Sequence, residues 1–101
     1  MKYLISLKHT NKTDAFFTLW RPDNKGYCQS LNMAGLYDEL EKGYHVSDDT
    51  LPVETEILER MGSTVKYDGE LKTFVPQNRY TLAELGLKRT PKGLIKLTHH
   101  D

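Results

Sequence analysis

Apolar and polar positions alternate from Tyr3 to Lys8, with Tyr3, Ile5 and Leu7 on one side and Leu4 on the other. A period of two marks a strand, here with one strongly apolar face. The polar stretch His9–Asp14 leads into Ala15–Arg21, a second strand with Phe17, Leu19 and Arg21 on one face and Phe16, Thr18 and Trp20 on the other. Antiparallel pairing of the two across that loop is the simplest arrangement. Aromatics on both faces of the second strand predict that it is central, or packs one face on a partner. Pro22 makes the strand end or bend. Asp23-Asn24-Lys25-Gly26 has turn chemistry, with Gly26 able to take a positive φ, and Tyr27–Leu31 restarts an extended run.

Further along, Tyr37–Lys42 predicts a short helical turn ended by Gly43. Residues Pro52 to Met61 predict the best helix: Val53, Ile57, Leu58 and Met61 share a face, Glu54, Glu56 and Glu59 fall outside it, and Pro52 suits the first turn. A hairpin follows. A two-residue Asp68-Gly69 turn would pair Val65 with Lys72 and Lys66 with Leu71. A three-residue loop, Tyr67-Asp68-Gly69, pairs Lys66 with Glu70 and Val65 with Leu71, and this matching of charge to charge and apolar to apolar favours it. Asn78–Leu85 predicts a second short helix, capped by Asn78 or Thr81 and ended by Gly86. Lys88–Gly93 reads as a basic loop, and Leu94, Ile95 and Leu97 as a last strand or docked tail. With no repeat or linker, residues 1–101 read as one α+β domain: an antiparallel sheet of about four to six strands with two short helices on one face.

Composition narrows the class. The chain has 101 residues, 38% hydrophobic, ten of them aromatic, and no apolar run long enough for a membrane span or a signal-peptide core. Cys28 is the sole cysteine, so no internal disulfide can form, and a cytoplasmic setting is expected. Net charge is zero, which argues against generic nucleic-acid binding. The charges are nevertheless segregated. Asp38 to Glu59 holds eight acids against Lys42, a net −7, whereas Leu87 to Thr98 holds Lys88, Arg89, Lys92 and Lys96 with no acid, a net +4. Opposite poles of this kind can attract a charged partner or a second copy of the chain.

Candidate chemistry centres on the proline-stopped corner. Trp20, Arg21 and Tyr27 flank one turn, and two rings with a guanidinium could sandwich a base and grip phosphate if they converge outward. His45 with Asp48 and Asp49 offers a ring nitrogen and two carboxylates for a divalent metal, a weak set from one loop; His99-His100-Asp101 is a terminal tail. No nucleophile–base constellation, phosphate loop or dinucleotide fingerprint is present. No cofactor, no resident metal and no catalysis are expected.

Trp20-Arg21-Pro22, Gly26-Tyr27-Cys28, Leu31, Ala34-Gly35 and Tyr37 resemble a pattern of small uncharacterised bacteriophage and prophage proteins, an LWRPN-type turn followed by GYxxxLxxAGxY. Leu51-Pro52-Val53-Glu54 and Val75-Pro76-Gln77-Asn78 are similar to later parts of that pattern, while the basic C-terminal segment departs from it. The resemblance implies an accessory phage protein acting in a bacterial cytoplasm. The expectation is therefore a non-enzymatic binding protein, with possible self-association, that engages a host protein or a small nucleotide signal. Its contact surface is expected at Trp20, Arg21, Tyr27 and Tyr37, with Lys88, Arg89 and Lys92 as a second, anion-seeking patch. The alternatives are a nucleic-acid-binding accessory protein using the basic segment, or a metal-dependent hydrolase at His45, Asp48 and Asp49.

Overall fold

A computed structural model describes residues 1–97; the terminal histidine pair lies outside the described residues. Strand β1 (Lys2–Ser6) pairs along its whole length with β4 (Thr50–Glu54), from Lys2↔Glu54 to Ser6↔Thr50. On its other side it meets β2 (Leu19–Trp20) at Ile5↔Leu19, and β2 pairs with β3 (Tyr27–Cys28). The sheet is antiparallel throughout, in the order β3-β2-β1-β4. Two separate antiparallel hairpins complete the strands: β5 (Ser63–Tyr67) with β6 (Glu70–Phe74), and β7 (Leu87–Thr90) with β8 (Gly93–Lys96).

The alternation of the first strand is realised as two cores. Tyr3, Ile5, Leu7, Phe17 and Leu19 enter the main cluster, which also takes Leu58 of α1 (Thr55–Met61) and Leu82 of α2 (Arg79–Leu85). Both helices therefore cover the same face. Leu4, Trp20 and Tyr37 form a smaller cluster on the other face. The domain is α+β, as the pattern predicts, but the strands are divided among one four-stranded sheet and two hairpins.

Several boundaries differ, each for a physical reason. Residues 15–17 extend the second strand in sequence but pair elsewhere: Phe17 N donates to Val75 O and Gln77 N to Ala15 O. Likewise the run after Cys28 turns to the β6 end, with Leu31 N donating to Thr73 O. Tyr37 is not helical, because it exchanges two backbone bonds with Lys2, at 2.9 and 2.8 Å. Pro52 does not start a helix; it sits opposite Leu4 in β4, an edge strand, the position in a sheet that tolerates a proline. The helix begins only at Thr55. The β5–β6 turn is the two-residue one: Tyr67 pairs with Glu70 and Val65 with Lys72. Asp68 (φ 52) and Gly69 (φ 77) both take the left-handed conformation that a type I′ turn needs. Every residue of β5 is exposed, so no core enforced the apolar match of the three-residue register. The basic segment is a hairpin instead of a loop. Asn78 caps α2, accepting from Tyr80 N and Thr81 N, while Thr81 Oγ1 accepts from Asn78 N.

Gln77, 7% exposed, ties three segments together. Its Nε2 donates to Asn11 O and Asp14 O, both at 2.9 Å, and its Oε1 accepts from Arg89 Nε at 3.2 Å. Replacing it by Met keeps the bulk and strands these partners. We expect Gln77→Met to lower unfolding free energy by roughly 2–4 kcal/mol in urea titrations. Alkaline pH probes the main core. Tyr3 donates to Glu59 Oε2 at 2.9 Å, and burial, then that bond and the Glu59 charge, push its pKa from 10.0 to about 12. A raised phenol pKa contributes stability that is complete below pH 10.0 and is lost as pH rises towards about 12. Tyr3→Phe should flatten that alkaline loss in denaturation curves taken across the window.

Candidate functional site

The corner after β2 is built on left-handed backbone. Asp23 (φ 58) and Asn24 (φ 59) occupy that region before Gly26 (φ 97), and short Asp and Asn side chains tolerate it best after glycine. Arg21 N donates to Gly26 O, closing the corner. Gly35 packs directly beneath it: a Cβ there would lie 2.7 Å from Pro22 Cα. Tyr37 locks the assembly from inside, its hydroxyl donating to Arg21 O and accepting from Asn24 N. The Asn24 side chain in turn reaches His45. Glu41 N donates to His45 Nδ1 at 2.9 Å, so the ring proton sits on Nε2, which donates to Asn24 Oδ1 at 2.7 Å. Both ring nitrogens are thus engaged inside the fold, and His45 is 4% exposed. Among the described residues, no group of three or more His, Cys, Asp or Glu side chains is placed to hold a metal.

The expected convergence of Trp20 and Arg21 does not occur. Neighbours along an extended chain point to opposite faces, and these two obey that rule. Trp20 is 6% exposed and lies in the small core, edge-on to Tyr37, Tyr44 and His45. Tyr27, its cross-strand partner, shares that face, is 41% exposed, and stacks on His9 with ring centres 4.0 Å apart. Tyr37 is a buried lock, not a contact residue.

Arg21 opens on the other side of the sheet. It lines a groove of ≈ 420 Å³ with Phe16, Cys28, Met33, Tyr67, Lys72 and Phe74. Its Nε donates to Tyr27 O at 3.1 Å, which fixes the guanidinium at the groove wall. Phe16 and Phe74 pack with ring centres 4.9 Å apart, and Lys72 Nζ lies 5.3 Å from the Tyr67 ring centre. Burial pushes the Cys28 thiol pKa up, against the lowering effect of Arg21. That disfavours a thiolate and leaves Cys28 a wall of the groove. Phe16, Tyr67, Lys72 and Phe74 were not among the sequence candidates. For the hairpin residues the signal was the two-residue register, which puts Val65, Tyr67, Lys72 and Phe74 on one face; Phe16 reaches the groove from the segment that pairs beside Pro76.

The basic patch is divided. Lys88 and Arg89 are adjacent on β7 and so project to opposite faces; Arg89 is tied to Gln77, with its NH2 group donating to Gln77 O. Lys92, in the β7–β8 turn, instead joins Lys8 and Lys12 around a polar cleft of ≈ 380 Å³. Lys96 donates to Ser47 O, an internal contact between the acidic and basic segments. No helix among the described residues is long and apolar enough to cross a membrane. No known protein family, curated protein or solved structure matches the chain.

The lock predicts a measurable cost. Tyr37→Phe removes the acceptor of Asn24 N and the donor to Arg21 O, and should lower stability by about 1–3 kcal/mol by urea denaturation, with the fold retained by circular dichroism.

Proposed function

We propose that this chain is a non-catalytic binding protein whose groove between the β2 corner and the β5–β6 hairpin takes a flat-ringed anion of the nucleotide class. One observation carries the reading: Arg21 and Lys72 border the same groove as the rings of Phe16, Tyr67 and Phe74. Stacking rings hold any planar base, and a fixed guanidinium with a nearby ammonium supplies the counter-charge for phosphate. The volume, ≈ 420 Å³, falls within the roughly 300–1,000 Å³ typical of ligand pockets. The resemblance to phage accessory proteins suggests a bacterial cytoplasm as the setting, where the chain would act as a sponge for a nucleotide signal. In that role tight binding suffices and no reaction is required.

A second reading, nucleic-acid contact, draws support from Lys92 of the basic segment, which borders one cleft with Lys8 and Lys12, though Asp49 lines it too. It requires a backbone-tracking surface, and its affinity would fall steeply with salt.

Mass spectrometry of small molecules released from purified protein, followed by equilibrium dialysis with mono- and cyclic nucleotides, tests the first reading. Saturable binding weakened about ten- to a hundredfold by Arg21→Gln is the expected result. Equal binding by wild type and Arg21→Gln, or no bound nucleotide at all, would overturn it. A mobility shift with DNA or RNA that vanishes in Lys8→Ala/Lys12→Ala/Lys92→Ala would favour the second reading instead.

A further inference from the structure

Among the described residues four strands are five residues long, and three of them are closed or blunted at their edges. Strand β1 is paired on both sides, by β2 and β4. Strand β4 carries Pro52 at its centre, which has no N–H to offer a further strand. The outer edge of β6 is covered at Thr73, whose O accepts from Leu31 N at 2.8 Å and whose N donates to Asn32 Oδ1 at 2.9 Å. Strand β5 is the exception. All five of its residues are exposed, and among the described residues it pairs with β6 alone.

The register assigns the backbone groups on that open edge. In a hairpin with a two-residue turn the flanking residues exchange both backbone bonds, and every second pair beyond them does the same. Tyr67, Val65 and Ser63 therefore bond to β6, opposite Glu70, Lys72 and Phe74. Thr64 and Lys66 turn their N–H and C=O groups away from β6, and among the described residues nothing pairs with them there.

Those groups are self-complementary. Let a second copy of the chain lay its β5 antiparallel to this one, about a two-fold axis at Val65. Thr64 N–H then meets the C=O of the partner's Lys66, Lys66 N–H meets the C=O of the partner's Thr64, and the axis repeats both bonds. Val65 faces its twin in a non-hydrogen-bonded pair, where side chains come closest. Val65 is 42% exposed and Tyr67 57%, so both have apolar surface to bury. Neighbouring registers fail. A slide of two residues one way sets Lys66 against the partner's Lys66, with like charges opposed. The same slide the other way runs Tyr67 into the partner's Met61, which is still helical. A lone two-stranded hairpin is marginal in water, and the pairing turns two of them into one four-stranded sheet.

The geometry points to a homodimer in which the β5 strands of two copies pair antiparallel with Val65 on the two-fold axis. Val65 also lines the groove, on the hairpin face it shares with Tyr67, Lys72 and Phe74. The two grooves therefore meet side by side across the axis, with the partner's Ser63 opposite Tyr67. The interface stands whether or not the groove takes a nucleotide.

Sedimentation velocity of the full chain, from micromolar to millimolar concentration, reads the assembly. A reversible rise from monomer to dimer mass is the expected result. Thr64→Pro removes one outward N–H and leaves the bonds to β6, so it should raise the dimer dissociation constant about tenfold with an unchanged circular dichroism spectrum. The axis gives a sharper test. Val65→Lys and Val65→Glu each oppose like charges there, so each alone should be a folded monomer, whereas an equimolar mixture should recover the dimer. A wild-type chain that stays monomeric at millimolar concentration would overturn the proposal. So would a dimer that Val65→Lys leaves at wild-type strength, or a mixture of the two folded variants no more dimeric than either alone.

Discussion

Strand β1 is buried on both faces and paired on both edges, and most of the architecture follows from that demand. Tyr3 and Ile5 require cover on one side, and Leu4 requires it on the other. The first need is met by two helices and the Phe17–Val75 region. The second is met by one indole, one phenol and the loop that carries Tyr44 and His45. A chain of this size has little material for two cores. The smaller one is therefore assembled from large rings, each of which excludes much water at modest cost in side-chain entropy. Tyr27, Tyr37, Tyr44 and His45 pack edge-on or tilted around Trp20, so one indole closes this thin second layer.

The same alternation that builds the sheet separates the corner's side chains. Trp20 and Arg21 are adjacent, and the extended backbone sends them to opposite faces. This was readable from the sequence, since the strand pattern already put Trp20 with Thr18 and Arg21 with Leu19. The expectation that the two would converge rested on their flanking one proline-stopped turn together with Tyr27. The bend comes one residue too late: Arg21 is still extended, with φ −78 and ψ 168, and the left-handed residues begin at Asp23. What could not be read was the lock beneath. Nothing near Tyr37 in the sequence indicates a hydroxyl joined to Arg21 and Asn24, because such a bond depends on where a loop returns in space.

Local pattern failed differently at the hairpin. Pairing like with like across β5 and β6 is a sound rule when one face is buried, since a register slip would then expose the core. Here β5 is exposed throughout, and the turn decides. Asp-Gly can adopt the two left-handed conformations of the tightest hairpin turn, whose twist matches the strands. The register that looked mismatched places Lys72 beside Tyr67 and gathers Val65, Tyr67 and Phe74 on one face. What reads as poor pairing within the hairpin becomes a mixed apolar and cationic wall for the groove. Pro52 misled for a related reason. Its local signal suits either a first helical turn or an edge strand, and only the partner at Leu4 distinguishes them.

The corner beside the groove draws its rigidity from one hydrogen-bonded chain running from Arg21 O through Tyr37 and Asn24 to His45 and the backbone of Glu41. Its backbone ends fix the left-handed corner on which the Arg21 side chain is mounted, and its far end fixes the loop that carries Tyr44. Buried polar networks of this kind are costly when broken, because each freed partner stays desolvated. The corner that carries Arg21 and the loop that carries Tyr44 therefore share these bonds, so breaking the chain at any one link loosens both ends of it.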